Sequence, residues 1–403
     1  MTDPSFTADP TGLRLALDAL LNAPDGAGSQ VLPDTLPESG LGEVAAIESL
    51  TPIVLGGACR LGAPDAFAHM DPPTPWIAWA TTQWNAALNQ NLLHPDVAPV
   101  ARGIEARVID WLAPGFGMDG GHMTPGSTVA NLTALWAARE LCGVRTVIAS
   151  EAAHLSIAKA AHLLGLAFHP ISTDACGRLS QDRLPNDLGK CALVLTAGTT
   201  SAGAIDDLSL SGRAAWTHID AAWAGPLRFS TRYGARLDGI QNANSVAVSA
   251  HKWLFQPKEA GLILFRDTEP AHQAVSFGGA YLAAPNVGLL GSHGAVAVPL
   301  LATLLAWGRA GLAERIDRAM GLAEDLRQRL DTHPGAAVFG PNVSGVVLWR
   351  PESGPSARDM LARLPAGSTS INRIDGVDWL RNVAANPCAD IDLLWTGIER
   401  ALA

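Results

Sequence analysis

Val246-Ala247-Val248-Ser249-Ala250-His251-Lys252-Trp253 decides how this chain reads. A short apolar run, rich in valine, leads directly into an adjacent His-Lys pair, so the lysine stands just past the end of a buried strand. The chain has four lysines, Lys159, Lys190, Lys252 and Lys258, and nearly all its other basic side chains are arginine. Lysine can lose its proton at accessible pH and attack a carbonyl carbon; arginine cannot. Upstream, Trp216-Thr217-His218-Ile219-Asp220-Ala221-Ala222-Trp223 is a second strand-like run, and it ends in an acid.

Around these two runs the pattern alternates. Strands are expected at 146–149, 167–171, 193–196, 216–219, 245–248 and 261–265, with helices at 76–93, 99–112, 127–141 and 156–164. Strands alternating with helices imply an α/β fold with a mostly parallel sheet covered on both faces. Ligands on such sheets bind beyond the carboxyl ends of the strands, which is where Asp220 and Lys252 fall. Residues 22–75 are rich in Pro and Gly and read as an arm with one short helix near Gly42 to Leu50. After Leu300 long helices follow to Leu330, then short strands such as Gly345 to Trp349 and a last helix from Ile391. The expected division is an N-terminal arm with helices over 1–95, a large domain over 96–305 and a small C-terminal α+β domain over 306–403.

Composition narrows the function. The chain has 403 residues, 48% hydrophobic and 16% charged, with a net charge of −10. An acidic chain without a basic run argues against nucleic-acid binding. Five scattered cysteines with no Cys-x-x-Cys pair suit reduced thiols in a cytoplasm. No signal peptide is read at the N-terminus, and the longest apolar run, Ala295 to Trp307, is too short to span a bilayer.

An acid and a lysine at the ends of neighbouring strands suit pyridoxal 5′-phosphate (PLP), the lysine holding the aldehyde and the acid the ring nitrogen. Gly126-Ser127-Thr128 feeds a helix N-terminus, where free N–H groups and the helix dipole favour a phosphate; Ser127 reads equally as a plain N-cap. His154 follows a strand and opens a helix. It could stack on an aromatic cofactor and move protons, although a lone histidine there is more often a cap. Thr199 could fix an imidazole or a cofactor oxygen, or sit in a plain Gly-Thr turn. His251 could contact a phosphate or be a buried structural histidine. Gly115-x-Gly117-x-x-Gly120 matches the dinucleotide fingerprint only by chance, because it follows a helix and opens none.

Together Thr124-Pro125-Gly126-Ser127-Thr128-Val129-Ala130-Asn131, His154, Ala197-Gly198-Thr199-Thr200, Asp220-Ala221-Ala222-Trp223-Ala224-Gly225 and His251-Lys252-Trp253 resemble the group II PLP-dependent amino-acid decarboxylases, from about Phe67 onward. That family includes aromatic amino-acid, glutamate, diaminobutyrate and tyrosine decarboxylases. The resemblance implies the fold-type I, aminotransferase-like architecture, a homodimer with its active site at the subunit interface, and decarboxylation of an L-amino acid to an amine. It implies a Schiff base on Lys252, a ring-nitrogen partner in Asp220, and His154 and Ala222 on the two ring faces. It further implies phosphate contacts from Ser127, Thr128 and His251, with Ser292 reaching in from a second subunit. Arg381 would bind the substrate carboxylate, and the segment around His69 and Met70 would line the side-chain pocket.

The chain departs from the family in three places, one of them the short stretch between Asp207 and Trp216, where a connecting helix is trimmed. Ser249 stands where the family has Asp before x-His-Lys. The segment Ala283 to Leu290, after Tyr281-Leu282, lacks the tyrosine that in the family protonates the product carbon. Oxidative deamination to an aldehyde, transamination, a C–C or C–S lyase reaction, and a catalytically silent scaffold are the alternatives to simple decarboxylation.

Overall fold

The computed structural model describes residues 6–23, 26 and 32–402. The chain divides into two compact units, Met1–Arg60 and Leu61–Ala403. In the first, helix α1 (Pro10–Leu21) opens on Asp9, whose carboxylate accepts the Thr11 N–H at 2.9 Å. Helix α2 (Glu43–Leu50) stands where the sequence puts a helix.

The second unit begins with α3 (Trp76–Leu88) and α4 (Ala101–Leu112). The apolar pattern predicts α3 out to Leu93, but Asn89 turns left-handed, at φ 45°, and ends it. Then come β1 (Gly120–Thr124), α5 (Ser127–Cys142), β2 (Thr146–Ser150), α6 (Leu155–Leu163) and β3 (Ala167–Ile171). They are followed by β4 (Cys191–Thr196), β5 (Trp216–Asp220), β6 (Ser245–Ser249), β7 (Gly261–Phe265) and α7 (Thr268–Ala274). These strands form one 7-stranded sheet in the order β1-β7-β6-β5-β4-β2-β3. Only β7 runs against the rest, pairing antiparallel with β1 and β6. The sequence pattern misses β1, because Gly120 and Gly121 carry no side chain to show a period. A Cβ on Gly121 would lie 2.0 Å from the Ile263 carbonyl oxygen, so glycine is what lets β1 sit against β7.

Side chains alternate across the sheet and fill two cores. Leu193, Leu195, Ile219, Val246 and Val248 pack on one face. Ala192, Val194, Trp216 and Ala247 pack on the other, with residues of α5 and α6 such as Leu135 and Ile157. Burial on both faces is why these strands read as continuous apolar runs, and each fully buried Leu, Ile or Val contributes about 1.5–3 kcal/mol.

A two-stranded ribbon, β8 (Ser276–Phe277) with β9 (Asn286–Val287), precedes α8 (Ala297–Thr332). Helix α8 runs across the expected domain boundary at 305/306, with its one non-helical residue at Gly308. Its start is the apolar stretch that the sequence singles out. No helix among the described residues is long and apolar enough to cross a membrane. Next are β10 (Ala336–Phe339), β11 (Val346–Pro351), α9 (Ala357–Leu361), β12 (Ser370–Ile374), β13 (Val377–Val383) and α10 (Ile391–Leu402). Strands β10–β13 make an antiparallel sheet in the order β10-β11-β13-β12, the smaller α+β part expected at the C-terminus.

Candidate active site

The carboxyl ends of β4, β5 and β6 open into a cavity of about 240 Å³. Asp220 is the last residue of β5, and Lys252 follows the end of β6 by one tight turn in which its N–H bonds to the Ser249 carbonyl at 3.2 Å. Both line the cavity with Ser127, Thr128, His154, Ala222 and His251, so most of the sequence-selected residues come together. Thr196, Gly198, Thr200 and Ser249 also line it.

Helix α5 points its N-terminus here. Ser127 is not the N-cap; Gly126 is, and no side chain satisfies the first N–H groups. Gly126 adopts φ 101°, and a Cβ there would press on His251 Cε1 at 3.2 Å. Ser127 Oγ instead meets Ser249 Oγ at 2.6 Å, so the serine that departs from the family pattern buttresses the turn. His251 Nδ1 is buried with no hydrogen-bond partner among the described residues. Unclaimed helix N–H groups, two hydroxyls and an orphaned imidazole nitrogen fit a phosphate.

The electrostatics suit a reactive amine. Burial lowers the Lys252 ammonium below its usual range; Asp220 and Asp71 oppose this, while Lys258 and Arg381 add to it. Burial also brings His251 to about 4, with Lys258 and Lys252 acting in the same direction. His154 caps α6 through Nδ1, which accepts the Ser156 N–H at 3.2 Å, and its ring also lines the cavity. This histidine is therefore a cap that also borders the cavity. Burial lowers His154 too, against the pull of Asp220.

Other residues fall elsewhere. Thr199 is wholly buried, and its hydroxyl accepts the Ala204 N–H at 3.0 Å, so it is the Gly-Thr turn residue and Thr200 faces the cavity. Met70 packs in the main core rather than lining the cavity, and His69 is exposed. Ser292 accepts from Asn91 Nδ2 at 3.1 Å, on a loop outside the cavity. Arg381 on β13 is buried; Nε donates to the Thr200 carbonyl at 3.0 Å and Nη1 to the Ala68 carbonyl at 3.1 Å. Asp71 belongs to the segment that the sequence assigns to the side-chain pocket; it lies outside the cavity lining and pairs with Lys258, a partner the sequence does not indicate. Burial alone would raise the Asp71 carboxyl, but the Lys258 ammonium, with His69 and Lys252 beyond it, holds it below the usual range.

A lysine and an acid at neighbouring strand ends, under an uncapped helix, can hold a phosphorylated aldehyde with a basic ring nitrogen. Residues 27–350 match the family model described as the pyridoxal-dependent decarboxylase conserved domain. The chain belongs to that family. It is similar to an L-2,4-diaminobutyrate decarboxylase of Rhizobium meliloti (strain 1021), 34% identical over 364 residues, 81% of this chain and 73% of that one. It is also similar to an L-2,4-diaminobutyrate decarboxylase of Acinetobacter baumannii, 25% identical over 432 residues, 91% of this chain and 84% of that one. The crystal structure of Oryza sativa TDC with PLP and tryptamine shares the fold, with a TM-score of 0.86 and 20% identity over 100% of this chain and 99% of that one. This decarboxylase therefore has the fold-type I architecture, uses PLP and removes carboxylate from an amino acid.

Proposed function

We propose that the enzyme decarboxylates a short L-amino acid whose side chain ends in a cation, giving a diamine and CO₂. The observation that carries this reading is Asp71. Like Asp220, it acts on Lys252, and it is paired with an ammonium group, that of Lys258. A substrate ammonium could take the place of Lys258 on it. The two diaminobutyrate decarboxylases among the relatives support the same class.

When bound, PLP supplies an aldehyde that links to the substrate amine and a ring that takes up the electron pair left by CO₂. Lys252 would hold that aldehyde and yield it to substrate, a task suited to a lysine whose ammonium form is disfavoured. Asp220 would keep the ring nitrogen protonated, and His154 and Ala222 would flank the ring. The α5 N-terminus, Ser127, Thr128 and His251 would hold the phosphate, with the partner's Ser292 completing it in a homodimer. Arg381, oriented by the Thr200 and Ala68 carbonyls, would hold the substrate α-carboxylate with its remaining N–H groups. Thr199 serves the turn beneath the site, and His69 and Met70 frame the segment that carries Asp71. A cytoplasmic location fits this chemistry.

The test is turnover by the PLP-loaded enzyme of a panel of L-amino acids, with CO₂ and organic product identified by mass spectrometry. The expected order is short diamino acids first, with the amine as product. Preference for aromatic or acidic substrates would overturn the reading of Asp71, and an aldehyde product would show that the tyrosine missing from 283–290 is not replaced.

A further inference from the structure

Behind Asp220 lies a continuous run of hydrogen bonds. Trp216, His218 and Asp220 stand at alternate positions of β5 and so share the face that α5 covers. His218 and Asn131 are wholly buried. Trp216 Nε1 is 2.9 Å from Ser245 Oγ, which is 2.9 Å from His218 Nδ1. His218 Nε2 is 2.9 Å from Asn131 Oδ1. Asn131 Nδ2 is 3.0 Å from Asp220 Oδ2 and 2.9 Å from Ser156 Oγ, and Ser156 Oγ is 2.8 Å from His154 Nδ1.

The chemistry of the two ends assigns every hydrogen. An indole N–H only donates and a carboxylate only accepts. Trp216 therefore donates to Ser245, and at the other end Asn131 Nδ2 donates to Asp220. That leaves Asn131 Oδ1 to accept from His218, and the Nδ1 of a neutral His218 to accept the Ser245 hydroxyl hydrogen. Nε2–H of His218 then donates to Asn131 Oδ1, which turns the amide nitrogen toward Asp220 and Ser156. Ser156 accepts one amide hydrogen and donates its own to His154. The run needs His218 neutral, and burial brings it to about 4 despite the opposing pull of Asp220. No hydrogen is used twice, and the Ser156 hydroxyl and Ser156 N–H share His154 Nδ1, at 2.8 and 3.2 Å.

We propose that Asn131 is a positioning residue: its amide, oriented by His218, holds Asp220 Oδ2 in place for the ring nitrogen of PLP and keeps the Ser156 hydroxyl turned to His154. The proposal rests on the reading of Asp220 as the ring-nitrogen partner. A bond to a buried carboxylate is among the stronger ones, so its loss should be visible in coenzyme binding without any turnover.

The experiment measures PLP affinity by fluorescence and the ring-nitrogen protonation of bound ¹⁵N-labelled PLP by NMR, in wild type, Asn131→Leu, His218→Gln, His218→Leu and Asp220→Asn. Asn131→Leu should weaken PLP roughly tenfold or more and shift the ring nitrogen toward its unprotonated position. His218→Gln keeps an N–H for Asn131 and should stay near wild type, whereas His218→Leu should follow Asn131→Leu. Equal behaviour of the two His218 variants would overturn the proposal, and so would unchanged affinity and ring nitrogen in Asn131→Leu alongside a shifted Asp220→Asn. If Asp220→Asn itself leaves both readouts unmoved, the reading of Asp220 has failed and the proposal falls with it.

Discussion

Arg381 shows what a single residue contributes to this site. The residue is 6% exposed, and its guanidinium spends Nε and Nη1 on two backbone carbonyls, which fixes the plane of the fork. Burial pulls it down to about 10, with Asp71 opposing, and it stays cationic at neutral pH. Lysine cannot span both carbonyls and still present a donor pair to a carboxylate. Arg381→Lys is therefore expected to raise KM roughly ten- to a hundredfold, with a smaller change in kcat, read from steady-state kinetics on the preferred substrate. At this scale the sequence is legible where a residue ends a strand. Lys252 and Asp220 stand out because an apolar run stops at them. Asn131 and His218 are silent because they act through partners. Only their spacing could have betrayed them, one turn after Ser127 and two residues before Asp220. Thr199 and Thr200 are adjacent, and no pattern tells which one the turn will face inward.

Two elements tie the cavity to the sheet. The turn between β1 and α5 brings Gly126 against His251, and its φ of 101° suits glycine. Gly126→Ala should strain the turn, displace the imidazole and weaken PLP binding by about tenfold, which equilibrium titration of the coenzyme will show. At the end of β4, the buried Asp206 accepts the Thr196 N–H and the Leu179 N–H, each at 2.7 Å. Burial outweighs those two bonds and raises its carboxyl from 3.8 to about 6. The folded chain thus holds this proton more tightly than the unfolded one. Its stabilising contribution is full below pH 3.8 and is lost as pH rises through about 6. The stability difference between wild type and Asp206→Asn should accordingly fall from pH 4 to 6.5, by on the order of 3 kcal/mol, in denaturant titrations at each pH. The strands of the large sheet are readable because both faces are buried. Strand β1 is not, since its glycines answer to β7 and not to a local preference.

At the scale of the whole molecule, tryptophans just after Asp220 and Lys252 reach toward the small sheet. Trp223 and Trp253 pack against each other with ring centroids 4.2 Å apart and planes tilted by 35°. Trp223 Nε1 donates to the Ser344 carbonyl at 2.7 Å and Trp253 Nε1 to the Ala384 carbonyl at 3.1 Å. The small sheet in turn supplies Arg381, so the residues proposed for cofactor and substrate share one packed support. The α/β architecture and the strand-edge site follow from period and order alone. The antiparallel course of β7 and the side-chain contacts between sheets depend on long-range pairing that no local window contains. The most direct test of the account is borohydride reduction of the PLP-loaded enzyme, followed by peptide mapping. The account predicts a pyridoxyl group on Lys252; a label on Lys159, Lys190 or Lys258, or none at all, would contradict it.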